Sequence, residues 1–124
     1  MGKENCDKLI SAIKEKTENK ILGWERITQD DFRNNPFLYK HFSDNDMAFD
    51  VINSYKASYN KGEIYFTNQE FDSYRQVFVQ PDIGKAVTVL EQGNNSLLCD
   101  LENDIKEQID NPNDFLQSLL EDTE

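Results

Sequence analysis

Histidine, cysteine and glycine are scarce in this sequence, and their scarcity limits the metal, redox and nucleotide chemistry that it can support. Among 124 residues there are one histidine, two cysteines and five glycines. Cys6 and Cys99 lie far apart, and neither is close to His41 at the spacing of zinc ligands. The glycines do not cluster into a phosphate-binding loop. We therefore predict no cofactor and no metal site, and we expect both cysteines to be reduced, packed thiols.

Long apolar runs are also missing, which argues against a membrane protein. No stretch approaches the roughly 18 apolar residues that a spanning helix needs. Residues 1–8 lack the apolar core of a signal peptide. We expect no membrane contact and a cytoplasmic location.

Basic residues are scarce in the C-terminal third of the chain. Residues 91–124 contain ten Asp or Glu residues and one Lys, a net charge of −9, against −11 for the whole chain. A surface of this sign repels the phosphates of nucleic acids and attracts basic proteins. We therefore expect no nucleic-acid partner and predict a basic protein as the partner.

The residues that are present indicate one folded domain spanning residues 1–124. Eight phenylalanines, five tyrosines and one tryptophan provide the large side chains that a core requires and that disordered chains lack. Apolar residues at helical spacing predict an amphipathic helix over 5–18, followed by a short strand around Trp24. Residues 28–46 have mixed signals, and we expect their aromatic side chains to pack under a loop. Within that segment, Thr28 and Asp31 resemble a capping box.

The middle of the chain predicts a four-stranded antiparallel meander. The predicted strands cover about 47–59, 64–67, 71–79 and 86–90. The connections between them are too short for parallel crossovers, so neighbouring strands must be antiparallel. Gly62 is expected to provide positive φ in the first turn.

Two further helices are predicted after the sheet, over about 96–109 and 113–121, with Asn95 or Ser96 as the cap of the first. Residues 121–124 are expected to be a frayed tail. The predicted fold class is α+β. The N-terminal and C-terminal helices pack on one face of the sheet, and the segment near Trp24 is a fifth short strand.

No arrangement of residues in the sequence identifies a catalytic site. His41 lies in no recognisable motif, and the acidic residues at 44–46 are not followed by the rest of a calcium loop. Asp100 and Asp104 lie four apart on one helix, which is typical of a solvated face.

The remaining candidate is a binding surface formed by acidic and aromatic side chains. Strand alternation predicts that Tyr55 and Tyr59 are in the core and that Tyr65 is exposed. We predict a non-enzymatic acidic protein-binding module that engages a basic protein. In size and charge it is comparable to immunity proteins and inhibitors of nuclease toxins. The predicted contact residues are Tyr65, Glu102, Asp104, Glu107 and Asp110.

Three alternatives stay open at this level. The acidity of the C-terminal helices can serve only to keep the protein in solution. An enzyme or small-ligand-binding domain can use His41, Trp24 and the aromatic segment 32–42. Carboxylates in paired rows can imitate nucleic-acid phosphates. The partner, the oligomeric state and the pathway are not determined by the sequence.

Overall fold

The computed structural model describes residues 3–44, 54–68, 75–82, 84–110 and 119–121. The helices and strands of these residues follow one another in the order of the chain. They are α1 (Lys3–Glu18), β1 (Trp24–Arg26), α2 (Gln29–Asn34), α3 (Pro36–Asp44), β2 (Tyr55–Tyr59), β3 (Gly62–Asn68), β4 (Arg75–Gln80), β5 (Thr88–Gly93) and α4 (Ser96–Asp110).

The strands of the described residues form one antiparallel sheet in the order β1-β2-β3-β4-β5. Each strand pairs with its neighbour in sequence, so the predicted meander is confirmed. The short strand around Trp24 is confirmed as well, because Trp24 pairs with Ala57 of β2.

One face of the sheet, called the first face here, is covered by α1 and α4. Side chains at alternate strand positions point to this face, among them Ala57, Ile64 and Val77, and they pack with buried residues of both helices such as Ile10 and Leu101. The predicted packing of the N-terminal and C-terminal helices on one face is confirmed. The alternation of strand residues therefore decides which side chains enter this core.

The opposite face, called the second face, is covered by α2 and α3. Leu38 of α3 packs there with Tyr65 and Phe78 of the sheet. Residues 29–34 and 36–44 are therefore helical, whereas the sequence predicted an irregular aromatic segment under a loop. The interruption at Asn34-Asn35-Pro36 separates two helices, because Pro36 suits the first turn of α3.

Side chains cap the N-termini of helices on both faces of the sheet. Asp31 Oδ2 accepts from the backbone N–H of Thr28 at 2.7 Å, which is one of the two bonds of the predicted capping box. Asn35 Oδ1 accepts from the N–H of Leu38 at 3.2 Å, and Asn95 Oδ1 accepts from that of Leu98 at 2.9 Å. These bonds satisfy backbone donors that a helix leaves unpaired at its start.

The end of α1 is fixed by a Schellman motif. The N–H of Ile21 donates to the carbonyl of Lys16 at 2.9 Å, and the N–H of Lys20 donates to that of Thr17 at 3.1 Å. Lys20 takes the left-handed conformation that this motif requires, with φ of 60°. The chain is thereby turned from α1 into β1.

The turn between β2 and β3 corrects one prediction. The residue with positive φ is Asn60, at 55°, and not Gly62. Glycine is required at 62 for a different reason, because a Cβ there would lie 2.4 Å from the carbonyl oxygen of Gln80. The glycine permits close approach between β3 and the end of β4.

Parts of three predicted elements lie outside the described residues. These are 47–53 of the first predicted strand, 71–74 of the third and 113–118 of the last helix. Residues 119–121 are helical. Among the described helices, none is long and apolar enough to cross a membrane.

Candidate functional site

The five predicted contact residues do not form one surface. Asp104, Glu107 and Asp110 lie on the half of α4 that runs beside the end of α1 and β1. Glu102 and Tyr65 are buried in other parts of the molecule. The structure thus brings three of the five residues together.

Tyr65 was predicted to be exposed, and this prediction is wrong. Its side chain is 3% exposed and stacks on Phe78 at 5.0 Å between ring centroids, on the second face. Asn35 Nδ2 donates to its hydroxyl oxygen at 3.1 Å. Burial, together with the charge of Glu63, raises the pKa of Tyr65 to about 12. Strand alternation assigned Tyr65 to the correct face of the sheet. Because α2 and α3 cover that face, the side chain is not exposed.

Tyr59 shows the opposite error. It was assigned to the core with Tyr55, and Tyr55 is buried, but Tyr59 is 41% exposed at the end of β2. Lys16 Nζ lies 5.5 Å from the centre of the Tyr59 ring. Tyr59 therefore lies beside α1 at the end of the strand and is only partly covered by that helix.

Glu102 was predicted to be a contact residue for a partner and therefore exposed, and the exposure is also wrong. It is 5% exposed, and its Oε1 accepts from Arg75 Nε at 2.9 Å. Its Oε2 accepts from Asn68 Nδ2 at 2.8 Å. The carboxylate joins α4 to the ends of β3 and β4, where its charge is compensated by the guanidinium.

A groove lined by carboxylates lies between the end of α1 and the second half of α4. We call it the acidic groove. It has a volume of about 340 Å³, and its charged lining residues are Glu18, Asp104, Glu107 and Lys20. Lys14 bridges two of the carboxylates, since it pairs with Glu18 and lies 3.0 Å from Asp104 Oδ2. The hydrogen bonds that Lys14 donates to Glu18 and Asp104 raise the pKa of Lys14, and the bond from Lys14 lowers the pKa of Glu18.

The wall of this groove is held in place by Gln108 and Trp24. Gln108 Oε1 accepts from the backbone N–H of Trp24 at 2.6 Å, and Gln108 Nε2 donates to the carbonyl of Leu22 at 2.9 Å. Trp24 Nε1 donates to Thr17 Oγ1 at 2.9 Å. The chain between α1 and β1 is therefore fixed against α4 by these hydrogen bonds.

An exposed acidic row continues from the groove along α4. We call it the α4 stripe, and it consists of Asp100, Asn103, Glu107 and Asp110. These residues recur at helical spacing and point to solvent. Asp110 pairs with Arg26 at 3.0 Å, whereas Asp100 and Glu107 have no ion pair among the described residues. Two accessible carboxylates are thus available for a cation of another molecule.

The alternative site composed of His41, Trp24 and segment 32–42 is not assembled. Trp24 packs in the core of the first face, whereas His41 contacts Phe78 on the second face at 4.9 Å between ring centroids. His41 Nε2 lies 2.8 Å from Gln76 Oε1. The sheet separates the two side chains, so they cannot act on one ligand.

Two other concave surfaces differ from the acidic groove in their chemistry. One, of about 540 Å³, is apolar and lies between α1 and the β2–β3 turn, with Leu9 and Tyr59 partly exposed at its edge. The other, of about 250 Å³, lies on the second face and includes Asp31, Lys56 and Glu63. Within the part of the chain that the structure describes, no group of His, Cys, Asp or Glu side chains is arranged to hold a metal ion.

The contribution of α1 to the acidic groove was not predicted from the sequence. Lys14 and Glu18 are four residues apart, so their ion pair was a visible signal. Their proximity to Asp104 depends on the packing of α1 against α4.

Comparison of the chain with protein-family models, curated proteins and solved structures finds no significant match.

Proposed function

We propose that this chain is a non-enzymatic module that binds a basic protein through the α4 stripe and the acidic groove. The observation that carries the proposal is the position of Glu107, which belongs to both surfaces and has no ion pair among the described residues. A cation docked at this position contacts the stripe and the groove together.

Charge supports this assignment. The residues of α4 include five carboxylates and one lysine, and the whole chain has a net charge of −11. Potentials of one sign accelerate the encounter with an oppositely charged partner and exclude partners of like charge. Neutralisation of a basic protein, as immunity proteins and inhibitors do, is the mode of action that this size and charge favour.

The form of the groove supports recognition of a long basic side chain. Leu22 and Thr17 provide its inner wall, and Glu18, Asp104 and Glu107 provide acceptors at its edge. A lysine or arginine of the partner can place its methylene groups on the wall and its charge at the carboxylates. The groove is formed in advance, so little free energy is spent on ordering it.

The test compares two double variants that remove the same charge. Asp100→Asn with Glu107→Gln changes the stripe, and Asp30→Asn with Asp82→Asn changes exposed carboxylates elsewhere. Each protein is immobilised, and proteins of the native cell are retained at low and moderate salt and identified. We expect the unaltered chain to retain a basic protein whose binding weakens as salt rises. The stripe variant should weaken the binding roughly 3- to 10-fold.

The control variant separates a defined site from general acidity. If the surface is the α4 stripe, the variant at Asp30 and Asp82 binds as well as the unaltered chain. Equal losses in both variants, or a retained partner that is indifferent to salt, would contradict the proposal.

A further inference from the structure

The second face of the sheet contains a polar cavity that is separate from the acidic groove. It has a volume of about 250 Å³ and lies between β2, β3 and the junction of α2 with α3. We call it the polar cavity. The lining residues used below are Asp31, Asn35, Phe37, Lys56, Glu63 and Tyr65.

Lys56 is already balanced by carboxylates in this cavity. Its Nζ lies 2.7 Å from Asp31 Oδ1 and 3.6 Å from Glu25 Oε1. Burial alone would lower the pKa of Lys56, but the hydrogen bond and charge of Asp31, together with the charges of Glu63 and Glu25, outweigh it, and the pKa is raised. The second oxygen of Asp31 accepts from the N–H of Thr28. Asp31 and Lys56 therefore satisfy each other and the start of α2.

Both oxygens of Asp31 accept hydrogen bonds, whereas one oxygen of Glu63 has no donor among the described residues. Its Oε1 accepts from Ser58 Oγ at 3.3 Å. Its Oε2 is buried and has no hydrogen-bond partner among the residues that the structure describes. A buried carboxylate oxygen without a donor is unfavourable, because it has lost its water without a replacement. Among the described residues the cavity is thus short of one N–H donor, and its two carboxylates, Asp31 and Glu63, share the charge of the one lysine Lys56.

The rest of the cavity restricts the ligand that can supply this donor. Asn35 Nδ2 donates to the Tyr65 hydroxyl and, at 2.7 Å, to Gln80 Oε1, so these two polar groups are held in place. Pro36 and Phe37 provide an apolar wall suited to an alkyl chain. The volume is below the range typical of drug-sized ligands, so the ligand must be small.

We propose that the polar cavity binds a small N–H cation, an alkylammonium or alkylguanidinium group, through the carboxylate of Glu63, which turns its unpaired oxygen towards the ligand. The group is carried by a free small molecule or by a lysine or arginine side chain of a protein, and both sources offer the same chemistry. This site does not depend on the α4 stripe or on the acidic groove, which lie against the first face.

The binding test is an NMR titration of the full chain with n-butylammonium and n-butylguanidinium. We expect saturable shifts of the amide signals of residues 35, 63 and 65. Tetramethylammonium has the same charge but no N–H donor, so it should produce no saturable shift at these residues. A capped Ala-Lys-Ala peptide is titrated in parallel. Binding of the free ions indicates a small-molecule ligand, and binding of the peptide alone indicates a protein side chain.

Two matched variants locate the contact. Glu63→Gln should weaken n-butylammonium binding about tenfold or more, because the charged hydrogen bond is lost. Glu15→Gln removes the same charge from an exposed position of α1 that lines neither the acidic groove nor the polar cavity, and it should leave that binding unchanged. The dispersed spectrum of the Glu63→Gln variant checks that it is folded.

Three results would overturn the proposal. They are the absence of saturable shifts with every N–H cation, equal binding of tetramethylammonium, and undiminished binding by folded Glu63→Gln protein. None of these results bears on the retention of a basic partner through the α4 stripe, so the two proposals fail separately.

Discussion

The two faces of the sheet are made by the same strands but differ in what covers them. On the first face, α1 and α4 enclose a cluster of thirteen buried side chains within the described residues, all of them apolar or aromatic. On the second face, α2 and α3 enclose a cluster of only four, and the surrounding sheet positions hold Lys56, Glu63, Gln76 and Gln80.

The first face of the sheet therefore contributes most to stability, whereas the second face contains the ionisable and polar groups. The apolar first face buries the greater area, which is the main favourable contribution to folding. On the second face the carboxylates, the lysine and the tyrosine hydroxyl require specific partners in order to be buried at all. We therefore expect core substitutions to act most strongly on the first face, and changes of pH to act through the second.

Truncation of one buried phenylalanine on each face of the sheet compares how much the packing of the two faces contributes to stability. Phe66 and Phe78 are both fully buried, on the first and second faces respectively. We expect Phe66→Ala to lower the free energy of unfolding by about 4–5 kcal/mol and Phe78→Ala by about 3 kcal/mol, because the smaller cluster can admit water more easily. Urea unfolding followed by Trp24 fluorescence measures both. An equal or greater cost at Phe78 would show that the second face contributes as much as the first.

The buried ion pair at the edge of the first face is the next target. Glu102→Gln leaves the Arg75 guanidinium partly buried without its counter-charge, and we expect a loss of about 2–3 kcal/mol in the free energy of unfolding. Glu107→Gln removes the same charge from an exposed position of the same helix and should change stability by less than about 0.5 kcal/mol. Similar unfolding midpoints for the two variants would mean that burial of Glu102 has little energetic consequence.

Alkaline pH should destabilise the protein through the second face. The pKa of Tyr65 is about 12 in the folded chain and near 10 when unfolded, so the folded state holds this proton more tightly. The resulting stabilisation is fully present below pH 10 and is lost as pH rises towards 12. It amounts to about 1–3 kcal/mol. Urea unfolding between pH 9 and 12 measures it.

Two phenylalanine variants are the controls for this pH effect. Tyr65→Phe removes the group that titrates and should flatten the dependence, whereas Tyr59→Phe alters an exposed tyrosine and should preserve it. Parallel pH profiles for Tyr65→Phe and the unaltered chain would assign the alkaline loss to other groups.

Much of the fold could be predicted from local patterns. The helical spacing of Ile10 and Ile13 and of Leu98, Leu101 and Ile105 placed two helices with the correct buried stripes. Short connections required an antiparallel meander, and the strand at Trp24 was recognised from its apolar neighbours. These features depend on residues that are close in the sequence.

The candidate site could be predicted only in part. Asp104, Glu107 and Asp110 were chosen for their charge, and they do lie beside one another on α4. Glu102 was chosen by the same criterion and is buried, because Arg75 and Asn68 approach it from strands far away in the sequence. Helical spacing was an overlooked signal, because Glu102 follows Leu98 by four residues and precedes Ile105 by three, which places it on the buried stripe of α4.

The sequence alone determined the α+β class, the order and direction of the strands, the helices that flank them and the strong acidity of the C-terminal third. These depend on periodicity, turn length and composition, which act over a few residues. Only the tertiary structure decided that α2 and α3 cover the second face, that Tyr65 is buried there, and that one oxygen of Glu63 has no donor among the described residues. The physical reason is that a period of two residues assigns side chains to opposite faces of a sheet, but only packing between distant segments decides what meets them on each face.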